Sequence, residues 1–322
     1  EFLEPIKNLC QVFEISPKNL IWFAPNLSSI IKAWQPTHII TPFVDIGILT
    51  YFAIKKTRLD IEWIHTVHSS HNKISAKKGF HGSLRYHLDQ IIASIVYKHA
   101  DKIVTVSNGI KKEIIDGFAC DIKKITNIYN PCIYSHDIVP IYKIPINSAY
   151  PPRLLAIGRL TKQKGFDLLI DALQYVPQPW MLNIWGEGEE KNSLQEQIDR
   201  LNLTDYIKLK GHTDTPIELM RLADLFILPS RFEGFGIVLI EALAAQCNII
   251  ATDCPQGPKE ILGNNQFGLL VNNNNPDQLI QAIKDIISKK FHVNSTAMIK
   301  RANEFTIESS ILAWINLINN KI

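Results

Sequence analysis

Two carboxylates, Glu233 and Glu241, are separated by seven residues in the stretch Arg231-Phe-Glu-Gly-Phe-Gly-Ile-Val-Leu-Ile-Glu241. The apolar run that ends at Leu228-Pro229 reads as a buried parallel strand, and the residues from Ile237 to Ala245 read as an amphipathic helix. A glycine-bearing turn between strand and helix leaves backbone N–H groups of Gly236 and Ile237 open at a helix N-terminus, which suits an anion. Glu233 is expected on the loop, facing that ligand. Glu241 is expected about one turn deeper on the same helix face. Carboxylates beside an anion site are poor phosphate partners but good acceptors for sugar hydroxyls. The plainer alternative is a helix-start acid and a surface acid. A second loop carries Arg159 and Lys164 after the apolar strand Leu154–Ile157. An arginine fork and a lysine point charge around one strand end can straddle a diphosphate. Both are expected to be exposed loop cations.

Other chemistries find little support. There is no Gly-x-Ser-x-Gly elbow for a serine hydrolase. There is no Asp-x-Asp and no His/Asp/Glu cluster with metal-ligand spacing, so no metal site is expected. The five cysteines form no Cys-x-x-Cys pair and are an odd number, as expected for free thiols in a reducing cytoplasm.

The elements that position these residues alternate between apolar β-rich and helical segments, the pattern of parallel α/β units. Strands are expected at His38–Thr41, Glu62–Val67, Lys102–Val106 and Ile125–Ile128 in the first half. In the second half they are expected at Arg153–Ile157, Met181–Trp185, Ile207–Leu209, Leu225–Leu228, Asn248–Ala251 and Gly268–Leu270. The proline-rich stretch Asn130–Pro152 reads as a linker.

Taken together, these motifs resemble those of retaining GT-B glycosyltransferases, specifically glycosyltransferase family 4. Glu-x7-Glu follows Pro229-Ser230. Ile157-Gly-Arg-Leu-Thr-Lys-Gln-Lys-Gly165, Trp185-Gly-Glu-Gly188, Lys208-Leu-Lys-Gly211 and Cys254-Pro-Gln-Gly-Pro-Lys-Glu-Ile-Leu262 stand in family order. The resemblance implies an α/β GT-B fold of two Rossmann-like, doubly wound domains facing a cleft. Residues 1–150 would form the acceptor-side domain and 151–305 the nucleotide-sugar domain. Residues 306–322 would form a helix crossing back to the first. Family members open with a strand and a Gly-rich loop, whereas this chain opens Glu1-Phe-Leu-Glu and has no glycine before Gly47. Its N-terminal domain is therefore expected to lack the first βαβ portion.

The resemblance also assigns roles. Arg159, Lys164, Glu233 and His68 would act at the reacting centre. Gly158, Gly186, Gly188, Gly234, Gly236, Ile237 and Glu241, with Arg159, Lys164 and Glu233, would hold the nucleotide sugar. No cofactor is implied beyond that co-substrate, a UDP-sugar, and no metal. The implied reaction moves a hexose or N-acetylhexosamine to a saccharide or lipid-diphosphate-linked acceptor in polysaccharide biosynthesis. Two alternatives stay open: a nucleotide-sugar epimerase or hydrolase of the same fold, and a non-catalytic nucleotide-sugar-binding subunit.

The net charge of +3 hides an asymmetry. Residues 1–150 hold 17 Lys/Arg against 12 Asp/Glu, and the remainder holds 17 against 19. The excess sits at Lys55-Lys-Thr-Arg58, Lys77-Lys78, Lys111-Lys112 and Lys123-Lys124. Solvated surface accounts for much of it. An anionic membrane face is the sharper expectation, at about 1 kcal/mol per well-placed basic residue. Nucleic acid is not expected, since no binding motif accompanies the charge. The implied location is cytoplasmic and peripheral at the inner face of the cell membrane.

Overall fold

The computed structural model describes residues 20–68, 80–139, 150–254, 257–273, 275–291 and 293–319. Packing divides the chain into two units. One comprises residues up to Val106 and Ile110–Asn127; the other comprises Ser107–Gly109 and the chain from Ile128 onward. The boundary thus falls at Asn127, earlier than the expected 150. The physical reason lies in residues 129–133. Cys132 N–H donates to Phe305 O at 3.1 Å, Ile307 N–H to Ile133 O at 2.8 Å, and Ser310 Oγ to Tyr129 O at 2.7 Å. These bonds tie the start of the proline-rich stretch, and the last helix, into the second unit.

The first unit is a four-stranded parallel sheet in the order β1-β2-β3-β4 (β1 His38–Pro42, β2 Glu62–Val67, β3 Lys102–Thr105, β4 Ile125–Asn127). Helices α1 (Leu20–Trp34), α2 (Val44–Thr57), α3 (Phe80–His99) and α4 (Asn108–Gly117) accompany it. Trp63, Val67, Val96, Tyr97, Ile103, Ile110 and Ile114 form its core. Helix α1 has no counterpart in the expected elements. The expectation of an absent first βαβ portion concerns residues up to 19, which lie outside the described residues, as do Cys10 and Lys77-Lys78.

The second unit is a six-stranded, all-parallel sheet in the order β10-β9-β8-β5-β6-β7. Its strands are β5 Arg153–Ile157, β6 Met181–Trp185, β7 Ile207–Leu209, β8 Leu225–Leu228, β9 Asn248–Asp253 and β10 Leu269–Asn272. Counted within the unit this is 3-2-1-4-5-6, the doubly wound dinucleotide-binding order. Helices α5 (Phe166–Leu173), α6 (Lys191–Arg200) and α10 (Pro276–Ile287) bury Leu169, Ile170, Leu194, Ile198, Ile283 and Ile286 on one face. On the other face, α8 (Ile237–Ala244) and α11 (Ser295–Asn303) bury Leu239, Ile240, Leu243, Met298 and Ala302. Helices α7 (Pro216–Leu222), α9 (Pro258–Ile261) and α12 (Ile307–Asn319) complete the unit. Because both faces are covered, every residue of β8 is buried. Among the described residues no helix is long and apolar enough to cross a membrane.

Candidate active site

In a doubly wound sheet the ligand site lies at the carboxyl ends of the strands, where the strand order reverses. Here that point lies between β5 and β8, which pair directly. The loop after β5 carries Arg159 and Lys164. The loop after β8 carries Glu233 and leads into α8. The two loops are fastened to each other. Arg231 N–H donates to Gln163 O at 2.8 Å, and Gln163 Nε2 to Phe232 O at 3.0 Å. Arg231 forks onto Asp167 with two 2.8 Å bonds and reaches Lys162 O at 2.8 Å. Asn273 Nδ2 holds Arg231 O at 2.7 Å, and the Thr252 hydroxyl donates to Ser230 O. Gly165 closes the turn after Lys164 in the left-handed region, at φ 68°. A Cβ there would lie 2.1 Å from Pro229 O, so only glycine lets the two loops touch.

Burial raises the Asp167 carboxyl, but Arg231's hydrogen bonds and charge, with Lys162 and the Leu168 N–H, outweigh it and hold it below its ordinary value. A carboxyl lowered on folding stabilises the fold above its unfolded pKa, and that contribution is lost as pH falls through the folded value. Acid therefore loosens the clamp between the loops.

Lys164 and Glu233 depart from expectation. Neither stands in the open. Glu233 is 5% exposed, and its Oε1 accepts from Lys164 Nζ at 2.8 Å and Ser230 Oγ at 2.5 Å. The Lys164 side chain is 15% exposed. Its stem lies along Gly158, 3.4 Å from where a Cβ would stand, an ordinary packing distance. The two form a buried, hydrogen-bonded ion pair. It holds Lys164 Nζ at the strand ends, and Glu233 holds the cation in place rather than facing outward. Arg159 is exposed as expected and makes no side-chain bond to a described residue.

Gly186 and Gly188 follow β6. Gly186 N–H donates to Gly211 O at 2.6 Å, and Leu160 N–H to Glu187 O at 2.9 Å. A Cβ on Gly186 would meet Gly158 O at 1.9 Å. Its close backbone approach is to the Arg159 loop, which it supports from the side.

Helix α8 starts at Ile237, with Gly236 as its N-cap in the left-handed region. Among the described residues nothing accepts from the Gly236 or Ile237 N–H groups. Gly234 and Ile237 are exposed beside them. Glu241 lies one turn into α8, half-buried, with no hydrogen bond to a described residue. Burial, and then the charge of Asp137, raises its carboxyl above the ordinary value. Burial and Glu241 in turn push the Cys132 thiol up to about 12.

His68 belongs to the first unit, at the carboxyl end of β2. Its Nε2 lies 3.0 Å from Thr66 Oγ1, and partial burial lowers its pKa, so it is a neutral imidazole at pH 7. His65, by contrast, is fully buried in the sheet beside Thr41 and Trp63.

Sequence reasoning passed over Arg231, Asp167 and Ser230, which hold the site together. No local signal joins Arg231 to Asp167; only tertiary folding does. Ser230 had a weak signal, since it follows the strand that leads to Glu233. Among the described residues no group of three or more His, Cys, Asp or Glu could hold a metal ion.

The family model described as glycosyl transferases group 1 matches residues 144–305, and that described as Glycosyltransferase Family 4 matches residues 11–135. One relative is the Campylobacter jejuni N-acetylgalactosamine-N,N'-diacetylbacillosaminyl-diphospho-undecaprenol 4-alpha-N-acetylgalactosaminyltransferase. It is 32% identical over 201 residues, 62% of this chain and 54% of that protein. The matches span 54%, 65% and 46% of the length of three such curated relatives, and between 35% and 72% of others. Among solved structures, the lipopolysaccharide outer core galactosyltransferase WaaB superposes with a TM-score of 0.75. It is 22% identical, and the match covers 93% of this chain and 79% of that one. Anabaena HepE in complex with UDP gives 0.73 at 19% identity, covering 92% and 81%. The fold is that of the GT-B glycosyltransferases.

Proposed function

Because the chain belongs to the glycosyl transferases group 1 family, we propose that it is a retaining glycosyltransferase that moves a hexose or N-acetylhexosamine from a UDP-sugar to a saccharide or lipid-diphosphate-linked acceptor. Its setting is surface-polysaccharide biosynthesis at the inner face of a cell membrane. The observation that carries the reading is the convergence of Arg159, the Glu233-held Lys164 and the open N–H groups of α8 at the β5/β8 switch point. Relatives named as glycosyltransferases, one of them acting on a diphospho-undecaprenol-linked sugar, and a fold neighbour bound to UDP support it.

As the bond between the sugar's anomeric carbon and the UDP oxygen breaks, negative charge grows on the leaving diphosphate. Arg159, Lys164 and the Gly236 and Ile237 N–H groups stabilise that charge more in the transition state than in the ground state. The leaving phosphate oxygen takes the proton of the acceptor hydroxyl. The acceptor oxygen then bonds the anomeric carbon on the face the diphosphate leaves, which retains configuration. Two cations supply the positive charge a metal would otherwise bring, so no divalent ion is required. The test uses UDP-GlcNAc or UDP-Gal in EDTA with proton NMR of the product. An α-linked product is expected; a β-linked product, or activity abolished by EDTA, overturns the reading.

Glu241 accepts hydroxyls of the nucleotide ribose. Glu241→Ala is expected to weaken UDP binding by about 1.5–3 kcal/mol, the value of a hydrogen bond to a charged group. The carboxylate form binds, and its pKa is raised, so wild-type affinity falls as pH is lowered toward that pKa. Glu241→Gln flattens this dependence. Calorimetry with UDP across mildly acidic pH checks both. Equal UDP affinity in wild type and Glu241→Ala removes the ribose role.

A further inference from the structure

At one end of the first unit, cations gather from three separate elements. Lys55 and Lys56 lie in the last turn of α2, and Lys98 and His99 in the last turn of α3. Lys123 and Lys124 come from the short turn Ile122–Lys124 before β4. Tyr51 joins them: Lys55 Nζ stands 4.8 Å from its ring centre, and the His99 ring stacks on it at 4.6 Å and 24°. Lys124 Nζ reaches Ala100 O at 3.1 Å and Lys98 O at 3.5 Å. Desolvation and then the charges of Lys55, Lys98 and Lys124 lower the His99 pKa, so three ammonium groups crowd one imidazole. Helix C-termini attract cations, which accounts for one or two of these residues. It does not account for five lysines and a histidine. Asp60, Asp101 and Asp121 stand at the same end and Glu62 is paired with Lys102 at 2.8 Å, so three acids face five lysines and Arg58 and positive charge stays in excess. Asp121 accepts from Lys123 N–H at 3.0 Å, and Asp101 from Trp63 N–H at 2.8 Å.

Large apolar side chains stand in water beside these charges. Phe52, three residues before Lys55 on α2, and Ile122, next to Lys123, are each 56% exposed. Cations with exposed aromatic and aliphatic groups match a lipid interface. The ammonium groups meet headgroup phosphates while Phe52 and Ile122 enter the acyl boundary. A nucleic acid or an acidic protein surface would use the charges but leave these two side chains without a role.

We propose that this end of the first unit, formed by the final turns of α2 and α3 and the turn before β4, docks on an anionic bilayer. The proposal rests on the reading above of an enzyme at a membrane, and its test separates the two. Within the first unit His68 stands at the carboxyl end of β2, the opposite end of this sheet, and none of the residues substituted below belongs to the donor loops.

The experiment is co-sedimentation of the full chain with phosphatidylglycerol-containing vesicles and with pure phosphatidylcholine vesicles, from low to high salt. Binding is expected only with phosphatidylglycerol and is expected to weaken as salt screens it. Each well-placed lysine is worth about fivefold in affinity (about 1 kcal/mol), so K55E/K98E is expected to bind about 25-fold more weakly or worse. Phe52→Ser weakens binding by several fold without changing the salt dependence. Both variants are expected to keep the wild-type thermal shift with UDP, which shows that they are folded. The docking surface is overturned if wild type fails to bind phosphatidylglycerol vesicles at low salt, if it binds both lipids equally, or if K55E/K98E binds like wild type. A missing UDP shift in wild type that still binds vesicles overturns the donor reading and leaves the surface standing.

Discussion

Lys164→Ala loses transfer and fold stability together. The lysine lies against Glu233, itself 5% exposed, at 2.8 Å. Removing one partner of a buried ion pair leaves the other charge uncompensated, which costs about 3–5 kcal/mol. The Ser230 hydroxyl bonds the same carboxylate oxygen, so part of that cost is already met and the lower end is expected. The variant also loses a cation at the leaving diphosphate, and kcat/KM is expected to fall by about 10²–10³. The double variant K164A/E233Q separates the two effects. Neutralising the carboxylate removes the orphaned charge and returns most of the stability, but the cation stays absent and transfer stays low. Denaturant unfolding with steady-state kinetics on the three proteins decides it. A single variant that unfolds at the wild-type midpoint means the pair contributes nothing to the fold. A double variant that regains transfer means Lys164 acts only through Glu233.

The expectation that Lys164 would be an exposed loop cation fails for a reason that lies outside local sequence. Its partner is 69 residues away, and the burial of both depends on Gly165 passing under Pro229 O. Motif spacing placed the residues at the strand ends; it carried no information on which side chains turn inward. Arg231 and Asp167, 64 residues apart, are a second instance. Where a signal is local and continuous, reading succeeds. β5 to β8 are found at their expected bounds because each is a short apolar-rich segment flanked by turn residues, continuous in β8 and broken by only one polar residue in β6 (Asn183) and β7 (Lys208). β9 and β10 each end two residues beyond expectation, at the polar ends Thr252-Asp253 and Asn272, and β10 starts one residue later, at Leu269. Helix α1 was missed because Pro25, Ser28 and Ser29 interrupt its pattern. The structure accommodates Ser28 by hydrogen bonds to Ala24 O and Ala53 O, which only the packing of α1 beside α2 supplies.

Arg159→Ala is the complementary case, with a catalytic loss of the same size and no change in the fold. The Arg159 side chain is exposed and bonds no described residue, and its carbonyl, which accepts from Thr161 N–H at 2.8 Å, is kept in the variant, so removing the side chain orphans nothing. The loop that bears it is held by other groups: Gly158 N–H on Trp185 O, Leu160 N–H on Glu187 O and Glu190 N–H on Leu160 O, each at 2.9 Å. The loop therefore keeps its path, and the unfolding midpoint is expected to stay within about 0.5 kcal/mol of wild type, as for surface substitutions generally. Transfer behaves differently. A preorganised cation aimed at developing charge is worth about 10²–10³ in rate, and kcat/KM is expected to drop by that factor. Arg159→Lys keeps the charge but loses the planar two-pronged fork, so it recovers part of the rate. Free UDP is already fully charged, so the loss is expected to be larger in kcat than in UDP affinity, because the charge that Arg159 meets grows as the sugar departs. Near-wild-type transfer by Arg159→Ala, or a loss confined to UDP binding with kcat intact, removes Arg159 from the transition state.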